Sequence, residues 1–123
     1  YKHTLTSGVQ IAQYALLTKD KTLSPEKIFR REQIGIDSAD CVVAEVSKPS
    51  SGVGGEIVYS LTKHKPVLAL FYKETENKLS PIIAGNPSDH LYLEHYEDDN
   101  IGIKINSKAR NKRKRVNPMM IFF

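Results

Sequence analysis

The chain has 123 residues, of which 40% are hydrophobic and 26% charged, with one cysteine and a formal net charge of +4. This describes a single globular domain and excludes a disulfide-stapled scaffold; no apolar run reaches the length of a membrane span. The positive charge is local, because Lys108, Arg110, Lys112, Arg113, Lys114 and Arg115 crowd one segment and leave the rest mildly acidic.

In chain order, His3–Thr6 reads as a short strand, Val9–Leu17 as a helix and Thr18–Leu23 as a polar connection. Ser24-Pro25 starts a helix running to about Ser38, since Ser can cap and Pro fits the first helical position. Ile28, Phe29, Ile34 and Ile36 are its expected apolar side. Cys41–Val46 is short, apolar and Val-rich, which predicts a buried strand with Cys41 an inert thiol. A helix from about Gly54 to His64 follows, then a second buried strand over Val67–Tyr72. Ser80-Pro81 opens another helix that Gly85 stops, His90–Tyr96 reads as a strand near the sheet edge, and a last helix is expected from Asp98 to about Ser107. Strands alternating with helices imply right-handed βαβ crossovers and a parallel sheet. The expected organisation is an α/β domain over 1–107 followed by a basic segment with an apolar end over 108–123.

The chemistry concentrates between Asp40 and Glu56. A buried strand stops at Pro49-Ser50-Ser51-Gly52-Val53-Gly54-Gly55, and a helix with Glu56 expected in its first turn follows. A loop of small residues lets a ligand approach the backbone, and helix N–H groups favour an anion. The glycines are not a dinucleotide fingerprint, because Ile57 stands where the third glycine would be, and no Gly-Lys-Ser/Thr is present. His90 and His95, five apart in one strand, fall on opposite faces, and no metal site is expected.

These residues resemble the nucleoside 2-deoxyribosyltransferase superfamily, and within it the 2'-deoxynucleoside 5'-phosphate N-hydrolases. The resemblance rests on Ala39-Asp40, Val42–Val46, Pro49-Ser50, Gly52-Val53-Gly54 and Glu56, and on a second block from Lys78-Leu79-Ser80 through Ile83 to Gly85. It covers roughly residues 3–105. It implies a Rossmann-like (flavodoxin-like) parallel sheet with helices on both faces. It implies hydrolysis of the N-glycosidic bond of 2'-deoxynucleoside 5'-monophosphates, with Glu56 the nucleophile that attacks C1' and forms a covalent glycosyl-enzyme. Ser50, Gly52 and Gly54 match the substrate-binding loop. Ser80 matches a serine that reaches the 5'-phosphate across a homodimer interface. No cofactor is implied, and the expected setting is cytoplasmic, or nuclear if Lys108–Arg115 acts as an import signal.

Three departures qualify the resemblance. Glu32 stands where the family carries a catalytic aspartate assisting departure of the base, one methylene longer; read without the family it is a solvated charge beside Arg30 and Arg31. Gly8 stands where the hydrolases have a histidine. The family's first strand, Gly-Ser loop and following helix have no counterpart before Tyr1, so an incomplete member is expected, with the strand at Cys41–Val46 lacking its central neighbour. The alternatives are base exchange between deoxynucleosides, an inactive nucleotide-binding or dimerisation module, and nucleic-acid binding through residues 108–115.

Overall fold

The computed structural model describes residues 22–97 and the backbone of 119–122. The readings of a strand at 3–6, a helix at 9–17, a last helix at 98–107 and the basic segment 108–115 lie outside the described residues. The described elements are α1 (Pro25–Ser38), β1 (Cys41–Glu45), α2 (Ser51–Thr62), β2 (Val67–Tyr72), a 3-10 helix (Lys73–Lys78), α3 (Pro81–Ala84), β3 (Leu91–Tyr96) and β4 (Met119–Phe122). The strands form one sheet in the order β3-β2-β1-β4, and every neighbouring pair is parallel. This is an α/β, Rossmann-like arrangement.

α1 begins as its sequence dictates. The Ser24 hydroxyl accepts from the Lys27 N–H at 3.3 Å, and Pro25 takes the first helical position. Its inward side is narrower than expected. Ile36 is buried, whereas Phe29 and Ile34 are 61% and 69% exposed. Ile34 lies about 200° round the helix from Ile36 and cannot share its face. The helix is tied down at its carboxyl end, where Lys65 Nζ donates to the carbonyls of Asp37 (2.9 Å) and Ala39 (2.6 Å). From α2, the Tyr59 hydroxyl donates to the Asp37 carboxylate at 3.1 Å. These bonds fix α1 beside α2.

The sheet is buried on both faces, as a parallel sheet requires. Val42, Ala44, Val67, Ala69 and Phe71 join Ile57 of α2 and Ile36 in one core, while Val43, Leu68 and Leu70 are buried on the opposite face. Ser60, fully buried in α2, donates its hydroxyl to the Glu56 carbonyl at 2.6 Å and so carries no unmet polar group into the core.

The expected gap beside β1 is corrected by the structure. The apolar end of the chain supplies β4, which pairs with β1 in the register Cys41↔Met119, Val42↔Met120, Val43↔Ile121 and Ala44↔Phe122. β1 therefore has a parallel neighbour on each side, and its backbone groups are paired rather than left open. The half-buried Cys41 gives a direct check. Neighbouring strands run about 4.8 Å apart, within reach of a disulfide. Met119→Cys is expected to form an intrachain disulfide with Cys41 on mild oxidation. Met120→Cys is expected not to, because positions 119 and 120 alternate across the sheet. Non-reducing electrophoresis and intact mass read both, and equal behaviour of the two variants would exclude this register.

Candidate active site

The loop after β1 is held by a compact polar network. Glu45, at the end of β1, accepts from the Ser47 backbone N–H (3.2 Å), from the Ser47 hydroxyl and from the Tyr96 hydroxyl of β3 (3.2 Å). The Ser47 oxygen in turn accepts the Tyr72 N–H of β2 at 2.7 Å. Three strand ends are thus bonded to the first residues of the loop, which fixes where Ser50 arrives.

Ser50 is the N-cap of α2. It has extended backbone angles, and its hydroxyl accepts from the Val53 N–H at 3.3 Å. The helix therefore starts at Ser51, three residues earlier than the glycines suggested. Gly52, Gly54 and Gly55 are helical rather than a loop, and Glu56 lies in the second turn, not the first. Capping by Ser50 together with burial of Val53 and Ile57 against the core offsets the low helix propensity of the glycines. Their value is spatial. A Cβ at Gly54 or Gly55 would meet nothing within 4 Å, so the cavity-facing surface of the helix is bare.

A cavity of ≈ 550 Å³ opens against this surface, lined by Lys48, Ser50, Ser51, Gly54, Gly55 and Ser80 among others. The structure thus brings Ser50, Gly54 and Ser80 together within one chain. Gly52 and Glu56 do not line this cavity. They stand four apart on another side of α2, toward α1. Lys48 was not singled out from sequence; its one signal there was a cation two residues before the serine.

On the α1 side, Glu32 stands near enough to Glu56 for its charge to act on it. Burial pushes the Glu56 carboxyl up to about 7, the nearby Glu32 charge adds to the rise, and the Arg31 charge opposes it. Arg31 also bonds Glu32 directly, with Nε at 2.8 Å from Oε1. Glu32 is therefore not a solvated surface charge: only 13% of its side chain is exposed. The site can accept a negatively charged group at the capped amino end of α2 and present two carboxyls beside it. Among the described residues, no group of three or more His, Cys, Asp and Glu is arranged to hold a metal ion, and no helix is long and apolar enough to cross a membrane.

No protein-family model matches the chain. Similar proteins do. A Thermofilum pendens protein, which bears the provisional name 2'-deoxynucleoside 5'-phosphate N-hydrolase 1, is 38% identical over 103 positions, covering 76% of this chain and 72% of that protein. The 5-hydroxymethyl-dUMP N-hydrolase of Rattus norvegicus is 34% identical over 85 positions, covering 69% of this chain and 52% of that protein. A Syntrophotalea carbinolica protein with the same provisional name as the first is 45% identical over 60 positions, covering 42% of its own length. The matched region thus spans about half of several of these relatives and nearly three quarters of one. Taken with the parallel sheet, the Ser-capped glycine helix and the paired carboxyls, this similarity makes the chain a member of the 2'-deoxynucleoside 5'-phosphate N-hydrolase family within the nucleoside 2-deoxyribosyltransferase superfamily.

Proposed function

We propose that the chain hydrolyses the N-glycosidic bond of 2'-deoxynucleoside 5'-monophosphates, giving free base and deoxyribose 5-phosphate. The observation that carries this reading is the helix whose amino end is capped by Ser50 and opens on a cavity, with Glu56 of the same helix under the charge of Glu32. The names of the relatives support the substrate class.

In this reading the 5'-phosphate sits against Ser50 and the free N–H groups of the α2 amino end, with Lys48 adding positive charge and Ser80 a second hydroxyl. Gly54 leaves room for the phosphate, and Gly52 lies beside the Ser50 hydroxyl, where a side chain would come within 3.8 Å of it. The ionised Glu56 forms a bond to C1' as the C1'–N bond breaks, and Glu32 delivers a proton to the departing base. Water then attacks C1', Glu32 takes its proton, and the bond to Glu56 breaks. Glu56 must be ionised to attack while Glu32 still holds the proton it delivers, so turnover rises with pH as Glu56 ionises and falls where Glu32 has lost that proton. The chain works as a homodimer, for which Val58 and Ile82, 48% and 74% exposed at the cavity, form an apolar rim facing a second copy.

The test is incubation of the full chain with deoxynucleoside monophosphates, followed by chromatography for free base and deoxyribose 5-phosphate. Transfer of deoxyribose to an added second base would favour base exchange. Saturable monophosphate binding without base release would favour an inactive module.

A further inference from the structure

We propose that Arg31 is a positioning residue for the carboxyl pair: its guanidinium fixes the Glu32 carboxyl through one oxygen and supplies the positive charge that lets Glu32 and Glu56 share one side of α2. The inference rests on the glycosidase reading for its kinetic consequence alone.

Consecutive residues of a helix point about 100° apart and do not face each other by default. Arg31 and Glu32 nevertheless meet twice, Nε at 2.8 Å and Nη2 at 2.5 Å, both on Oε1. The contact is partly sheltered, with 34% and 13% of the two side chains exposed. The neighbouring Glu26–Arg30 pair is 71% and 72% exposed and belongs to the solvated surface. A glutamate arm turns about three bonds, and two donors converging on one oxygen remove much of that freedom. A guanidinium does this through its fixed fork, which an ammonium lacks.

The charge matters as much as the geometry. From α1, Glu32 and Arg31 face Glu56, one raising and the other lowering its titration. α2 itself has no acidic residue in its first turn and no basic residue in its last. Glu45 of β1 lies with Ser47 and Tyr96, bonded away from this pair. Without Arg31 a positive charge that opposes the effect of Glu32 on Glu56 would be lost, and Glu56 would hold its proton to higher pH.

The test uses the full chain with isotope-labelled glutamate carboxyls, titrated by NMR, and kinetics on a deoxynucleoside monophosphate. Arg31→Gln is expected to move the Glu56 midpoint up by about one pH unit. The acid limb of the pH–rate profile should move with it. kcat should fall about 10- to 100-fold, with KM within about threefold of the parent. Arg31→Lys should restore the midpoint, because charge is kept, and leave kcat low, because the fork is lost. An Arg31→Gln chain that melts like the parent, with the same midpoint and kcat, overturns the proposal, as does a loss confined to KM. If the parent releases no base, the glycosidase reading falls, and the titration alone decides the role of Arg31.

Discussion

Glu56→Gln is expected to abolish base release, lowering kcat by roughly four orders of magnitude or more, as loss of a covalent nucleophile does. The same variant should be more stable than the parent at pH 8. The Glu56 carboxyl is raised from 4.5 to about 7 in the folded chain. A raised carboxyl binds its proton more tightly folded than unfolded. Its contribution is therefore fully present below about pH 4.5 and is lost as the pH climbs through about 7. By pH 8 the native chain carries a poorly solvated carboxylate under the charge of Glu32, at a cost of at most a few kcal/mol, which solvent screening of this partly exposed group lowers. A neutral amide of the same shape escapes that cost. Denaturant unfolding at pH 5 and pH 8 separates the two states: parent and variant should nearly coincide at pH 5 and diverge at pH 8. Retained turnover would remove Glu56 from the mechanism. An equal stability difference at both pH values would remove the burial argument.

Replacing Ser50 should produce two effects that a choice of substitution can separate. Ser50→Ala loses the bond from the Val53 N–H and should cost about 1 kcal/mol of stability, whereas Ser50→Gly should cost only a few tenths. Both variants lose the hydroxyl that the phosphate would use. Hydrogen bonds to a charged group are worth about 1.5–3 kcal/mol, so monophosphate affinity should fall roughly 10- to 100-fold in both. Affinity for the corresponding nucleoside should change little. Ser80→Ala should show the same preference for the phosphorylated ligand. Calorimetric titration with a monophosphate and its nucleoside checks this, and equal losses for the two ligands would take the phosphate away from Ser50.

Much of the fold is legible because local signals agree with the tertiary structure. Val67–Tyr72 is wholly apolar between polar connections, and it is the buried strand expected at those bounds. Ser24-Pro25 and Ser80-Pro81 both start helices where they should, and Gly85 ends α3. Leu91–Tyr96 begins one residue after the expected start. α2 misleads at its start, because glycines suggest a loop while Ser50 caps the helix ahead of them. The pairing of Glu32 with Glu56 was legible through family resemblance and not through spacing. Arg31 was not legible at all, since a contact between adjacent helical residues has no periodic signature. The fate of Met119–Phe122 was equally hidden: its composition suits a strand, but its partner is near the other end of the described chain.

The pairing of β4 with β1 also has a kinetic meaning. β1, β2 and β3 follow one another in sequence and close short crossovers, whereas Cys41 must wait for Met119 before that edge is covered. Closing so long a stretch of chain costs entropy before the contact forms, so β4 is expected to dock after β1–β3 have paired. During synthesis β1 emerges well before β4, the strand that pairs with it on this side. Weakening β4 should therefore speed unfolding more than it slows folding, and the amides of β1 that face β4 should exchange through openings smaller than global unfolding.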